Sequence, residues 1–185
     1  MKPRLFVISG PSGVGKSTLI RRLLREFVDI KFSVSYTTRK PREKEINGKD
    51  YFFIEQQSFQ TMISQGDFLE WAEYNGNFYG TSKKLIQSYF ADNFSCLLEI
   101  EIAGAKQIRS IFKHDSVFIF IAPPDIYDLK KRLQKRGTDN SKIIDERFLI
   151  AKKEMEESKF FDHTIVNKNI DNSYNELKDI IQKNL

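Results

Sequence analysis

Residues Gly10 to Ser17 read GPSGVGKS, filling the pattern GxxxxGK[ST] at Gly10, Gly15, Lys16 and Ser17. The run before them, LFVIS from Leu5 to Ser9, is short and apolar, and after them Leu19, Ile20, Leu23, Leu24 and Phe27 fall at helical spacing. The spacing predicts a strand that passes through a glycine loop into a helix, the context this motif requires. Few architectures accept such a unit, and a parallel sheet covered by helices fits it best. Glycines let the backbone curl until successive N–H groups point at phosphate oxygens, and the helix N-terminus adds a favourable dipole. The stretch Gly10, Pro11, Ser12, Gly13, Val14, Gly15, Lys16, Ser17 and Thr18 is therefore expected to cradle a nucleoside triphosphate. Lys16 would neutralise the β- and γ-phosphates, and the Ser17 hydroxyl would ligate Mg2+. A glycine-rich turn with a merely solvated lysine would leave the register of strand, loop and helix without a reason.

The rest of the chain repeats the alternation. Strands are predicted at FSCLLEI (Phe94 to Ile100), SVFIFIA (Ser116 to Ala122) and HTIVN (His163 to Asn167), with helix-like segments between them. From about Ser33 to Tyr79 the texture turns aromatic and polar, with turns signalled at Asn47-Gly48 and Asn75-Gly76, and a mainly antiparallel inserted lobe is expected there. From Leu129 to Phe148 the pattern is helical and crowded with Lys130, Lys131, Arg132, Lys135, Arg136 and Arg147, broken at Gly137, as a basic lid would be.

Composition bounds the partners. At 185 residues, with 40% hydrophobic and 30% charged residues, the chain has the size and balance of one large soluble domain. The net charge of +5 suits nucleotides, nucleic acid or an anionic membrane, but the basic residues are interleaved with acids, so neither nucleic acid nor membrane is expected as a partner. The single Cys96 excludes an internal disulfide and, in its apolar run, reads as a small buried hydrophobe. No apolar stretch reaches the ~18 residues of a membrane span. The start MKPRLFVISG leads straight into the loop rather than reading as a removable signal, so a cytoplasmic location is expected. Homo-oligomers are not predicted.

A phosphate cradle leaves GTPases, ATPases and small-molecule kinases open. The nearest approach to a guanine-reading NKxD is NKNID from Asn167, whose Asp171 comes one residue too late. Two further stretches are more specific: VSYTTRKPREKEINGKDYFFI from Val34 to Ile54, and FLEWAEYNGNFYGTS from Phe68 to Ser82. Followed by the acidic LLEIE and by RGTD at Arg136 to Asp139, they resemble, in order and spacing, the guanylate kinases over nearly the whole chain. The resemblance implies an α/β fold of the P-loop NTPase type, a parallel sheet flanked by helices with an inserted mainly antiparallel GMP-binding lobe and a helical lid. It implies a single domain with its core at about 1–32, 82–128 and 149–185, the lobe at about 33–81 and the lid at about 129–148. The activity implied is transfer of the γ-phosphoryl group of ATP to GMP and dGMP, with Mg2+, in purine nucleotide metabolism.

The same resemblance assigns roles. Arg39, Arg42, Tyr51 and Tyr79 would hold the GMP phosphate, and a planar guanidinium matches phosphate oxygens well. Glu70 would read the base, since a carboxylate accepts from the adjacent N1–H and 2-amino donors that only guanine offers. Ser35 and Thr81 resemble the hydroxyl partners of guanine, Ser35 donating to O6. Taken locally, Glu70 could equally be an exposed strand carboxylate with Leu69 and Trp71 toward the core. Glu99 and Glu101 stand where many members carry aspartates, with Glu99 expected to hold Mg2+ through water and Glu101 to approach GMP. Alternation puts both on one strand face. Arg136 and Arg147 would close over the transferring group, and Asn167 would lie near the adenine. GMP presents an ionised phosphate as nucleophile, so no base is needed and His114 and His163 have no assigned role.

Two rival readings stand beside this one. A kinase for another monophosphate would leave TTRKPR and FLEWAEYNGNFYGT unexplained. A binding module that has lost catalysis would have no use for Lys16, Ser17, Arg136 and Arg147 together.

Overall fold

The computed structural model describes residues 2–112, 114–135 and 141–185. In chain order the elements are β1 (Leu5–Ser9), α1 (Lys16–Glu26), β2 (Ile30–Phe32), β3 (Tyr36–Thr37), β4 (Phe52–Phe53), α2 (Gln56–Gln65), β5 (Phe68–Tyr74), β6 (Asn77–Ser82) and α3 (Lys83–Ala91). There follow β7 (Ser95–Glu99), α4 (Ile102–Ile111), β8 (Ser116–Ala122), α5 (Ile126–Lys135), α6 (Ser141–Glu156), a 3-10 turn (Glu157–Phe160), β9 (His163–Val166) and α7 (Ile170–Asn184). They form a five-stranded parallel sheet ordered β2-β7-β1-β8-β9 and a four-stranded mixed sheet ordered β4-β3-β6-β5. Thus the α/β class and the strands expected at Leu5, Phe94, Ser116 and His163 are present, the second trimmed to Ser95–Glu99 and the last to His163–Val166. Strands β1, β7 and β8 are buried along almost their whole length, as continuous apolar runs in a two-faced parallel sheet must be. Cys96 is fully buried in β7, and burial pushes its thiol up to about 12, so it is inert at neutral pH.

The chain divides into two compact units, residues 1–7 with 29–116 and residues 8–28 with 117–185. In the first, the mixed sheet is closed by aromatic packing that accounts for the aromatic texture of the sequence. Phe59, fully buried on α2, stacks on Phe68 at 4.4 Å and on Phe78 at 5.6 Å between ring centroids, and Tyr36 stacks on Phe52 at 4.8 Å. Such pairs add about 0.5–1.5 kcal/mol beyond their area burial. Asn75 and Gly76, at φ 49° and 71°, form the two-residue turn of the β5–β6 hairpin, the left-handed geometry that an Asn-Gly pair accepts most readily. The Asn47-Gly48 turn behaves differently. It joins no hairpin, because β3 and β4 pair in parallel, and Asn47 Oδ1 instead accepts the Phe53 N–H at 2.9 Å.

In the second unit α1 buries Leu19, Ile20 and Leu23 and is tied to α7 on its outer face. Arg22 donates to Asp171 at 2.5 Å and lies 4.0 Å from the Tyr174 ring centroid, while Lys178 and Tyr174 both donate to Glu26. Hydrogen bonds from Lys178 and then Tyr174 hold the Glu26 carboxyl below its ordinary range. These ties fix the helix that opens at the glycine loop. Helices α5 and α6 carry the basic zone, while the expected break at Gly137, like Arg136, lies outside the described residues.

Candidate active site

Strand β1 delivers the chain into the glycine loop, and at two glycines there a side chain has no room. Gly10 has φ 141°, and a Cβ on it would stand 2.2 Å from the Ile121 carbonyl oxygen of β8. A Cβ on Gly15, at φ 107°, would stand 2.5 Å from Asn167 Nδ2. That amide, buried at the end of β9, donates to the Val14 carbonyl at 2.7 Å, so Asn167 braces the apex of the loop. Lys16 folds back over the loop, donating to Gly10 O at 2.6 Å and Pro11 O at 3.3 Å, which holds its charge above the curled backbone. Ser17 and Thr18 are exposed in the first turn of α1, and Arg147 of α6 donates to Ser12 Oγ at 3.3 Å. The structure therefore brings Arg147 to Ser12 and Asn167 to Val14 and Gly15 without help from sequence proximity.

Sequence reasoning missed Glu154. It occupies the inward stripe of α6 with Ile144, Phe148 and Ala151, and is 9% exposed, with Oε2 lacking a hydrogen-bond partner. Burial raises its pKa and the Lys16 charge lowers it, the net direction being upward. Its spacing of seven from Arg147 was the available signal.

In the first unit a small cavity, open at its mouth, is lined by Ser35, Tyr51, Glu70, Ala72, Tyr79, Glu99, Ile100 and Glu101. Glu70 is 3% exposed on β5, whereas its neighbour Trp71 is 38% exposed. The apolar pattern at Leu69 and Trp71 thus gives way, and the carboxylate takes the inward face together with Ala72. Thr81 on the paired strand β6 donates to Glu70 Oε1 at 2.5 Å, fixing its rotamer. Desolvation raises the Glu70 pKa to about 7, against hydrogen bonding from Thr81. Glu99 ends β7, but Glu101 has left the strand and N-caps α4, so both line the cavity by the turn of the chain rather than by strand alternation. Burial, then the Glu99 charge, push the Tyr51 phenol well above its ordinary range, so it stays protonated and able to donate.

Arg39 lies beside this cavity, its guanidinium 5.4 Å from the Tyr51 ring centroid. It is held in a fork by Glu45, with bonds of 2.9 and 2.8 Å, and Glu45 also accepts the Arg42 N–H at 2.8 Å. Burial works against the Glu45 charge, but the hydrogen bonds from Arg39 and the Arg42 N–H prevail and keep its carboxyl below the ordinary range. The Arg42 side chain is more than half exposed, 3.6 Å from Glu45. Glu45, three residues after Arg42, has nothing in its local sequence to separate it from a solvated acid; neither have Ala72 and Ile100 from ordinary core.

Among the described residues no cluster of three or more His, Cys, Asp or Glu side chains is gathered for a metal ion. Nor is any described helix long and apolar enough to cross a membrane.

Comparison with known proteins extends over the same length. The family model described as guanylate kinase matches residues 2–184. A guanylate kinase of Prochlorococcus marinus (strain NATL2A) is 44% identical over 174 residues, 94% of this chain and 93% of its own. One from Clostridioides difficile (strain 630) is 45% identical over 97% of this chain and 87% of its own. The crystal structure of guanylate kinase from Anaplasma phagocytophilum superimposes with a TM-score of 0.83 at 31% identity, covering 98% of this chain and 85% of that one.

Proposed function

The chain belongs to the guanylate kinase family, and from that premise we propose that GMP is read in the cavity around Glu70 while ATP is held at the loop around Lys16. The activity is ATP-dependent phosphorylation of GMP, giving ADP and GDP. What carries the site assignment is the convergence of a buried carboxylate, a fixed hydroxyl and two phenols on one open cavity.

The chemistry follows from the donors and acceptors. Ionised Glu70 accepts from guanine N1–H and the 2-amino group, Thr81 already donating a hydrogen bond to Oε1. Ser35 donates to O6, and adenine, with an unprotonated N1, would leave Glu70 facing another acceptor. Arg39 and Arg42, with the Tyr51 and Tyr79 hydroxyls, take the phosphate. Glu45 sets the Arg39 fork and the Arg42 main chain in advance, which limits the ordering cost of binding. At the loop, Lys16 and the backbone N–H groups take the β- and γ-phosphates. Arg147, with Arg136 from the basic zone, offsets charge on the transferring group and excludes water. Asn167 serves the ATP side twice, bracing Val14 and flanking the adenine.

Hard oxygen donors suit Mg2+, which keeps waters and borrows substrate phosphates rather than filling a protein cage, consistent with the lack of a dense ligand cluster among the described residues. Ser17 would supply one hydroxyl, Glu99 would hold coordinated water, and the ion would neutralise phosphate charge. Glu101 would stay close to the bound GMP. We place the GMP lobe at about 33–81 and the lid at about 129–148 of one domain.

This reading gives a pH signature. GMP affinity, titrated by calorimetry without ATP, is expected to rise between pH 6 and 8 as Glu70 ionises through about 7. The GMP phosphate titrates near about 6, so the control is Glu70→Gln, whose profile should lose the upper part of the rise. Superimposable profiles would contradict the role of Glu70. Stability moves the opposite way. Because the folded pKa lies above the ordinary carboxyl value of 4.5, this contribution is complete below that pH and is lost as pH rises through about 7.

A further inference from the structure

Helix α4 touches the base-reading strand at two points that no part of the phosphate or base chemistry requires. Gly104 is buried against Glu70, and a Cβ built on it would lie 2.0 Å from Glu70 Oε2 and 2.8 Å from its Cδ. The carboxylate therefore occupies the space that any other residue at 104 would fill. Three residues on, Gln107 grips the main chain beside Glu70: its Nε2 donates to Trp71 O at 2.7 Å, and its Oε1 accepts the Trp71 N–H at 3.3 Å.

The grip has a physical reason. Strand β5 is an edge strand, so outward main-chain groups have no neighbouring strand, and its pairing with β6 is irregular between Phe68 and Glu70. An edge strand interrupted at the residue that reads the base would let the carboxylate wander. The Gln107 amide replaces the absent strand for Trp71, and Gly104 admits the carboxylate beneath it.

We propose that Gly104 and Gln107 are positioning residues that set specificity for guanine by fixing where the Glu70 carboxylate stands. The proposal rests on Glu70 being the base reader. Substitution at Gly104 acts on that carboxylate rather than on the fold, because the clash falls on the far end of a flexible side chain while helix propensity favours alanine. A shift of about an ångström at a positioning contact is enough to cost on the order of a hundredfold in rate.

The test compares GMP with inosine monophosphate, which keeps N1–H but lacks the 2-amino group, in the parent, Gly104→Ala, Gln107→Met and Glu70→Ala. For Gly104→Ala kcat/KM for GMP should fall by about tenfold or more, with at least a roughly fivefold loss of GMP over inosine monophosphate preference. KM for ATP should stay within about twofold and the melting temperature should not drop, readouts that a merely structural lesion would move. Gln107→Met, similar in volume but unable to bond Trp71, should lose about threefold of the preference. An unchanged preference in Gly104→Ala, or in Gln107→Met should the first fail to fold, overturns the proposal when Glu70→Ala abolishes the preference. An unchanged preference in Glu70→Ala itself overturns both the proposal and the reading beneath it.

Discussion

Alanine at Glu70 is expected to lower kcat/KM for GMP by about a hundredfold to a thousandfold, with KM for ATP changing by less than about twofold. The carboxylate is nearly fully buried and its Oε1 is committed to Thr81, so its removal withdraws an ordered acceptor from a buried position and leaves the Thr81 hydroxyl without its acceptor. Guanine's two donors would then be buried facing no fixed acceptor, and each such loss costs about 1–3 kcal/mol. The effect is expected on the monophosphate because Glu70 and Thr81 lie within residues 29–116, whereas the glycine loop and Lys16 lie within 8–28. Steady-state rates with each nucleotide varied in turn measure it. An unchanged KM for GMP would count against the assignment.

The second large effect belongs to Lys16. Replacing it by alanine is expected to reduce kcat by about a thousandfold while a thermal melt shows the fold intact. The ammonium sits over the loop on the Gly10 and Pro11 carbonyls. A compact point charge fits that seat, so Lys16→Arg should rescue poorly, since a planar fork presents a different shape and spacing of donors. Single-turnover measurement with saturating nucleotides separates loss of chemistry from loss of affinity. Retention of a tenth of the parental rate in the alanine variant would contradict a role in stabilising the transferring phosphoryl group.

What the sequence disclosed follows a physical division. The glycine loop was legible because its chemistry is contiguous: curl, cation and hydroxyl lie within eight residues, and Gly10 and Gly15 are required by contacts at 2.2 and 2.5 Å. The Asn75-Gly76 hairpin was legible for the same reason. Glu70 was legible only through family resemblance, since local alternation allowed Leu69 and Trp71 to take the core and it took tertiary packing to turn the carboxylate inward. Helix α2, hidden in an aromatic and polar stretch, owes its place to the stacking of Phe59 on Phe68 and Phe78. The parallel pairing of β3 with β4 joins two-residue strands across a long loop, too short for any periodic signal. Glu45, Glu154 and Gly104 acquire meaning only from what the fold lays against them.

Guanine selectivity is measured by ADP formation from ATP with GMP, dGMP, AMP, UMP and dTMP supplied in turn at equal concentration. Turnover should be rapid with GMP and at least about a hundredfold slower with AMP. Equal or greater turnover with AMP, or tight Mg-ATP binding with no turnover on any monophosphate, would contradict it.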